Sequence, residues 1–201
     1  PFIDAPAGTP INIGVAPASS SSAADTIKNF QVTLASGQKY IAIANGVLNI
    51  HSFAANPDGR STAFRLLIQT PSKESATGGN VEFVGVHGAT DAPTVDIAAR
   101  GVATLVNNAA YGDITGYIAV PPAKYTLDVK HSSGTVRVAT FAADLSGLAN
   151  GAAVVFASGF LTPSANQNGK AFGLYAALAN GTVVAFPAVT TARLQVIHNA
   201  A

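Results

Sequence analysis

Histidines and carboxylates are the side chains of this 201-residue chain that could do chemistry, and it holds four of the first and ten of the second. His87 and His198 end two matching apolar stretches, Phe83-Val84-Gly85-Val86-His87 and Leu194-Gln195-Val196-Ile197-His198, each just before a turn. A repeated histidine could ligate a metal together with Asp91, Asp96 or Asp113. Such a site needs several ligands converging at recognisable spacing, and none is spaced that way. The reading preferred is that the ring nitrogens of His87 bond the backbone of the turn. His131, beside Ser132-Ser133, reads as a solvated residue at a hairpin tip, and His51 has no partner pattern. Calcium would want about six to eight oxygens with carboxylates close together. Here Asp91, Asp96, Asp113, Asp128 and Asp144 are scattered singly, so no metal is expected.

Covalent and acid–base chemistry fare no better. The chain has no G-x-S-x-G elbow and no H-E-x-x-H helix. Its only glutamates are Glu74 and Glu82, and no carboxylate pair is marked for glycoside hydrolysis. Asn-Gly and Ser-Gly steps lack the strand–glycine-loop–helix setting of a phosphate site. Cysteine is absent, which removes thiolate catalysis, thiolate metal sites and disulfides together. The 10 Phe and 5 Tyr mostly alternate with polar residues, as core positions do, and there is no Trp for a sugar-stacking platform. The expectation is a protein that is not an enzyme, with no catalytic, cofactor-binding or metal-ligating residues.

Composition narrows the partners. Lys plus Arg (11) nearly balance Asp plus Glu (10), so no basic field exists for nucleic acid. Charged residues make up only 10% of the chain and hydrophobic ones 48%, the reverse of a disordered sequence. No apolar run approaches the roughly eighteen residues of a membrane-spanning helix. With no Cys, Met or Trp, little in the chain can be oxidised. This Ala/Gly/Thr/Ser/Val-rich character suits an extracellular or cell-surface protein, and the missing Met suggests a mature or excised segment.

The elements that would position any site read as strands. Ile11, Ile13 and Val15, and likewise Tyr125, Leu127 and Val129, alternate with polar neighbours, the mark of half-buried strands. Ala153-Val154-Val155-Phe156-Ala157 and Tyr40-Ile41-Ala42-Ile43-Ala44 are unbroken apolar runs, expected to be buried on both faces. Asn180-Gly181 predicts a tight hairpin between residues 174–178 and 182–186. Residues 23–29 offer at most a turn or two of helix. Short strands between turn signals predict an all-β chain of antiparallel β-sandwich, immunoglobulin-like modules.

The chain also echoes itself. Residues 194–201 repeat residues 83–90 at a distance of 111, Ile11/Ile13/Val15 repeat Tyr125/Leu127/Val129 at 114, and residues 40–46 repeat residues 153–159 at 113. That period suits a compact domain in tandem rather than a solenoid. Three parts are expected: residues 1–80, the later part of a first module; residues 81–191, a complete module; and residues 192–201, the first strand of a following one. The equivalents of residues 91–115 fall in neither flanking part. The Ser/Ala-rich loop at residues 16–22 stands where the second copy has Ser132-Ser133-Gly134, and reads as a bare solvated loop rather than a glycosylated one.

Three stretches follow one order: Val86-His87-Gly88-Ala89-Thr90-Asp91-Ala92-Pro93-Thr94-Val95-Asp96-Ile97, then Ala110-Tyr111-Gly112-Asp113-Ile114-Thr115-Gly116-Tyr117, then Val120-Pro121-Pro122-Ala123-Lys124-Tyr125. In this the chain resembles the bacterial extracellular tandem-repeat domain of unknown function, family four-three-nine-seven. It departs at His87-Gly88-Ala89-Thr90, where Ala-Ser-Pro is usual, and at Pro122-Ala123-Lys124, where Ala-Gly is usual. The resemblance implies secreted or wall-associated proteins, tandem copies and a sandwich fold, and it brings no catalytic residues. Physically, Asp91-Ala92-Pro93 reads as a turn whose carboxylate accepts from backbone N–H groups two residues on. Val95 and Ile97 should point inward and Asp96 outward. Tyr111-Gly112-Asp113 reads as a bend in which the glycine takes a conformation closed to other residues while the tyrosine anchors a sheet corner.

The function expected is a non-catalytic structural module of an extracellular filament, stalk or surface layer. Its partners would be other copies of itself, in a head-to-tail polymer or a continuous tandem array, with no nucleic acid and no membrane insertion. An assembly strand, Leu194, Gln195, Val196, Ile197 and His198 within residues 193–201, would complete the sandwich of a neighbour, whose acceptor residues would be Phe2, Ile3, Ile11, Ile13 and Val15. The alternative is a carbohydrate- or ligand-binding, adhesive module of a secreted or cell-wall-associated protein, with surface glycans as partners.

Overall fold

A computed structural model describes residues 2–134, 136–190 and 192 of the chain. Among these, the strands are β1 (Pro10–Val15), β2 (Lys28–Thr33), β3 (Ile41–Asn45), β4 (Arg65–Gln69), β5 (Val81–His87), β6 (Val95–Ala99), β7 (Ala103–Ala109), β8 (Ile118–Val120), β9 (Lys124–His131), β10 (Arg137–Asp144), β11 (Ala152–Ser158), β12 (Gly173–Leu178) and β13 (Val183–Phe186). Helix is confined to three short 3₁₀ turns, at Ala23–Asp25, Ile50–Ser52 and Pro163–Ala165. No helix of the described residues is long and apolar enough to cross a membrane.

Strands β5–β13 form two sheets, ordered β10-β9-β6-β7 and β13-β12-β11-β5-β8. Alternation along each strand turns one set of side chains into the space between them. Val95, Leu127, Val129 and Phe141 from the first sheet meet Val81, Phe83, Val155, Leu174 and Phe186 from the second in one buried core. Val95 is buried and Ile97 packs against that core, while the Asp96 carboxylate accepts a bond from Asn108 N at 2.7 Å, as the alternation predicts. Beyond β13 the chain crosses between sheets. Ala142 N donates to Pro187 O at 2.9 Å and Val189 N to Thr140 O at 2.8 Å, which shuts that side of the sandwich. The Asn180-Gly181 hairpin joins β12 to β13 as predicted, with Leu174 opposite Phe186.

One pairing departs from the antiparallel expectation. β5 and β11 run parallel, with Val84 opposite Val154 and Phe156 opposite Val86. The two strands are distant in sequence, so the chain has room for the crossover that a parallel pair requires.

The N-terminal segment contributes two separate hairpins, β1-β2 and β3-β4. Their registers follow those of two hairpins in the sandwich. Ile13 lies opposite Phe30 as Leu127 lies opposite Phe141, and Ile43 lies opposite Leu67 as Phe156 lies opposite Tyr175. The correspondence extends to irregular backbone. β3 is followed by Gly46 at φ +101° and β11 by Gly159 at φ +83°. A Cβ there would stand 2.6 Å from Thr62 O in the first case and 2.4 Å from Ala171 O in the second, so only glycine fits. The chains then cross alike, through the parallel bridges Val47–Ala63 and Phe160–Ala171. The aromatic pairs Phe30–Phe64 (5.9 Å, 52°) and Phe141–Phe172 (6.1 Å, 50°) match as well.

Burial is where the two regions part. Phe141 is 2% exposed and Val129 fully buried, whereas Ile13, Val15 and Phe30 are only half-buried. The apolar run at Tyr40–Ala44 was expected to be covered on both faces, but Ala42 and Ala44 are exposed. Val155 and Ala157, their counterparts by register, face a second sheet, and among the described residues no such layer lies over β3.

Candidate assembly interface

The other face of β3-β4 is docked. Ile41, Ile43 and Leu67 pack on Val84, Val86 and Val154, the outward side of the five-stranded sheet. This third layer explains why β5 is buried at all seven positions. Apolar contact of this kind is non-directional; orientation comes from the polar groups around it.

Those polar groups are largely the motif residues of the sequence. Lys73 N donates to Tyr117 Oη at 2.7 Å, the Lys73 ammonium lies 5.0 Å from the Tyr117 ring centroid, and it pairs with Glu82. Asn56 is buried and its Nδ2 donates to both Thr90 O (2.9 Å) and Ala92 O (3.0 Å), while its Oδ1 accepts from Asp58 N and Arg60 N. The Asp58 carboxylate accepts from Thr94 N at 2.6 Å and Thr94 Oγ1 at 2.7 Å; the hydroxyl bond is the main cause holding this acid below its ordinary pKa. Arg60 pairs with Asp113. Phe53 stacks on Phe160 at 5.6 Å, and Ala54 N donates to Asn166 Oδ1 at 3.0 Å.

At the end of β5 the joint closes over a buried polar cluster. Tyr111 is fully buried; the Arg65 guanidinium lies over its ring and the His87 imidazole meets it edge-on with centroids 6.2 Å apart. Gly112, at φ +86°, makes this possible, because a Cβ there would fall 1.8 Å from Arg65 Nη2. His87 Nε2 bonds Pro93 O at 3.0 Å, as the sequence suggested, which puts the proton of the neutral ring on Nε2. Desolvation by burial lowers the His87 pKa, outweighing the pull of the Pro93 carbonyl and of Asp113 and Asp58. Burial likewise raises the Tyr111 phenol. The side-chain atoms Asn45 Nδ2, Arg65 Nε, His87 Nδ1 and Tyr111 Oη have no hydrogen-bond partner among the described residues. Asn45 sits near enough to bias the phenol without making a bond of normal geometry to it.

Asp91 corrects the sequence reading. Its carboxylate does not serve its own turn; it accepts from Leu161 N, Thr162 N and Asn166 Nδ2, each at 2.9 Å. The β5–β6 turn is thereby tied to the β11–β12 connection. Each acid weighed as a metal ligand beside His87 is thus engaged by donors: Asp91 as described, Asp96 by Asn108 N, and Asp113 by Ala110 N at 3.0 Å and Arg60. His131 Nδ1 accepts from Ser133 N at 3.1 Å within its own turn.

Of the residues expected to accept an assembly strand, Ile11, Ile13 and Val15 lie half-buried on β1, Phe2 is half-buried and Ile3 is 85% exposed. β1 pairs with β2 alone among the described residues, whereas its counterpart β9 also pairs with β6. The expected assembly strand, Leu194, Gln195, Val196, Ile197 and His198, lies outside the described residues. Asn56, Arg60, Lys73 and Asn166 were missed by sequence reasoning. Asn56-Pro57-Asp58-Gly59 signals a turn, and nothing local tells that its side chains reach another part of the chain.

Residues 84–201 match the family model described as Domain of unknown function (DUF4397). The chain belongs to this family. The matched span begins within β5 and continues past β13 to Ala201. Its motif residues Thr90, Ala92, Thr94, Tyr111, Asp113 and Tyr117 meet the N-terminal segment. No curated protein and no solved structure matches this chain.

Proposed function

We propose that this DUF4397 chain is a non-catalytic structural module of an extracellular or cell-surface array, built from tandem immunoglobulin-like sandwiches that join head to tail. In this reading residues 1–80 are the later part of one module, residues 81–191 a complete one, and residues 192–201 the opening strand of the next. The observation that carries it is the pairing of hairpins β1-β2 and β3-β4 in the registers of β9-β10 and β11-β12, with their apolar positions half-covered instead of buried. A surface that has the pattern of a core but not its cover is one that a partner completes. The polar clasp of motif residues around β5 would then fix the angle of one module on another, which a stiff array needs. Head-to-tail contacts propagate unless the rotation closes a ring.

Light scattering over rising concentration, with electron microscopy of the same samples, tests the reading. Concentration-dependent polymers or filaments are expected. Hydrogen exchange supplies the second readout. A monomer whose β1 and β2 amides are as protected as those of β9 and β10 would have no uncovered half-module, and the reading would fall.

A further inference from the structure

We infer that the buried polar cluster at the end of β5 is a binding site for a monatomic halide anion, held by Arg65, Asn45 and Tyr111. Three of its unpartnered atoms are donors: Arg65 Nε, Asn45 Nδ2 and Tyr111 Oη. They gather about one ring. Asn45 and Arg65 are directly opposed on β3 and β4, which sets their side chains on one face of the hairpin. The guanidinium lies over the Tyr111 ring with Cζ 5.6 Å from its centroid, and the Asn45 amide is close enough to the phenol to bias its ionisation. Asn45 is 8% exposed and Tyr111 fully buried, so bulk water does not serve these groups. A buried donor without an acceptor carries its full desolvation cost, and three of them around one ring call for an acceptor.

Charge decides which acceptor. Of the cations at this joint, Arg60 pairs with Asp113 and Lys73 with Glu82, whereas Arg65 has no carboxylate partner among the described residues. A guanidinium cannot shed its proton on burial, as a lysine or histidine can. The face of the Tyr111 ring offsets only part of the cost of taking that cation out of water. Water in the site would accept the hydrogen bonds and leave the charge. A halide accepts from all three donors and supplies the missing negative charge. The burial of Tyr111, Asn45 and His87 around it sets the size, so chloride or bromide fits where sulfate or a peptide carboxylate does not. The unpartnered Nδ1 lone pair of the neutral His87, whose ring meets Tyr111 edge-on, works against an anion and places the affinity in the millimolar range. Bound there, the ion ties hairpin β3-β4 to the connection after β7. The site stands independently of the array reading.

Urea unfolding of the full chain at fixed ionic strength tests it, with chloride replaced stepwise by gluconate, which is too large for the site; holding the ionic strength removes general screening. The folded-to-unfolded ratio should rise in proportion to added chloride, roughly tenfold by about 200 mM. Bromide should substitute, and sulfate should not. Broadening of the chloride NMR resonance by the folded chain gives a readout independent of stability. Tyr111→Phe keeps the ring, removes Oη and should lower the apparent affinity several-fold. Arg65→Gln should abolish the response, and Lys170→Gln, at an exposed position, should retain it. Circular dichroism checks that each variant folds; should Arg65→Gln fail to fold, Tyr111→Phe still decides. Three results overturn the inference: equal midpoints in chloride and gluconate, which means water alone fills the site; a sulfate effect as large as that of chloride, which is a general salt effect; and a chloride response unchanged in Tyr111→Phe, which places the ion elsewhere.

Discussion

The Arg65 guanidinium lies over the ring of Tyr111, with Cζ 5.6 Å from the centroid. One residue belongs to hairpin β3-β4 and the other to the connection after β7, so this cation–π contact spans the joint, as does that of Lys73 with Tyr117. Gly112 leaves room for the Arg65 contact. Gly112→Ala should displace the guanidinium and strain a positive-φ backbone, costing about 1–3 kcal/mol. Chemical denaturation measures the cost. A smaller loss on combining Gly112→Ala with Arg65→Ala than the sum of the two singles would show that the damage travels through Arg65.

Acid should loosen the same joint. His87 is buried and held neutral, with its pKa below the ordinary value, while in the unfolded chain it titrates near 6.5. The unfolded state therefore takes the proton first, and stability present at neutral pH is lost as pH falls below about 6.5. Tyr111 meets the ring edge-on and Asp113 and Asp58 pull on it, and a protonated His87 would share the Tyr111 ring with the Arg65 guanidinium. Urea midpoints at pH 7.5 and 5.5 should differ in the native chain and converge in His87→Gln.

Asp128 governs a lower window. Arg100 grips its carboxylate through Nε at 2.9 Å and Nη2 at 2.7 Å, and Thr140 Oγ1 donates to it at 2.8 Å. The Arg100 bond is the largest cause bringing this acid down to about 2. A depressed carboxylate contributes stability above its unfolded pKa that is lost as pH falls from about 4 to about 2, worth on the order of 2 kcal/mol. Asp128→Asn should be less stable at pH 7 by about 1–3 kcal/mol and should lose less on acidification over that window. Acid titration followed by circular dichroism would show both.

The paired phenylalanines give a comparison within one molecule. Phe141→Ala should cost about 3–5 kcal/mol, because a buried ring leaves a cavity. Phe30→Ala should cost less than half as much in dilute protein, where that ring is half-covered. If copies join as proposed, the gap should narrow at higher protein concentration. Equal costs in the monomer would mean that Phe30 already has its cover.

Much of this was legible in the residues. Alternation located β1 and β9, and Asn180-Gly181 located the β12-β13 turn, because both signals are local. Gly112 and Tyr111 announced a bend, since few residues fit such geometry. The parallel contact of β5 with β11 was not legible, because apolar runs carry no direction. Nor was the destination of Asp91: its donors at 161, 162 and 166 are distant in sequence, and an Asp before Ala-Pro looks the same whether it serves its own turn or another loop. The clasp formed by Asn56, Arg60 and Lys73 stayed hidden for the same reason, as turn residues reveal no partner until the fold brings one.

Hairpin β1-β2 spans its tip with residues 16–27, and hairpin β9-β10 does so with residues 132–136, yet Ile13/Phe30 and Leu127/Phe141 keep one register. More than doubling the connection costs only about 0.6 kcal/mol for each doubling in closure entropy. The strands below hold the register, so the tip is free to vary in length. Foreign peptide grafted between Ser20 and Ser21 should leave the melting temperature nearly unchanged, and any assembly of these chains would then display that cargo at one regular spacing per copy.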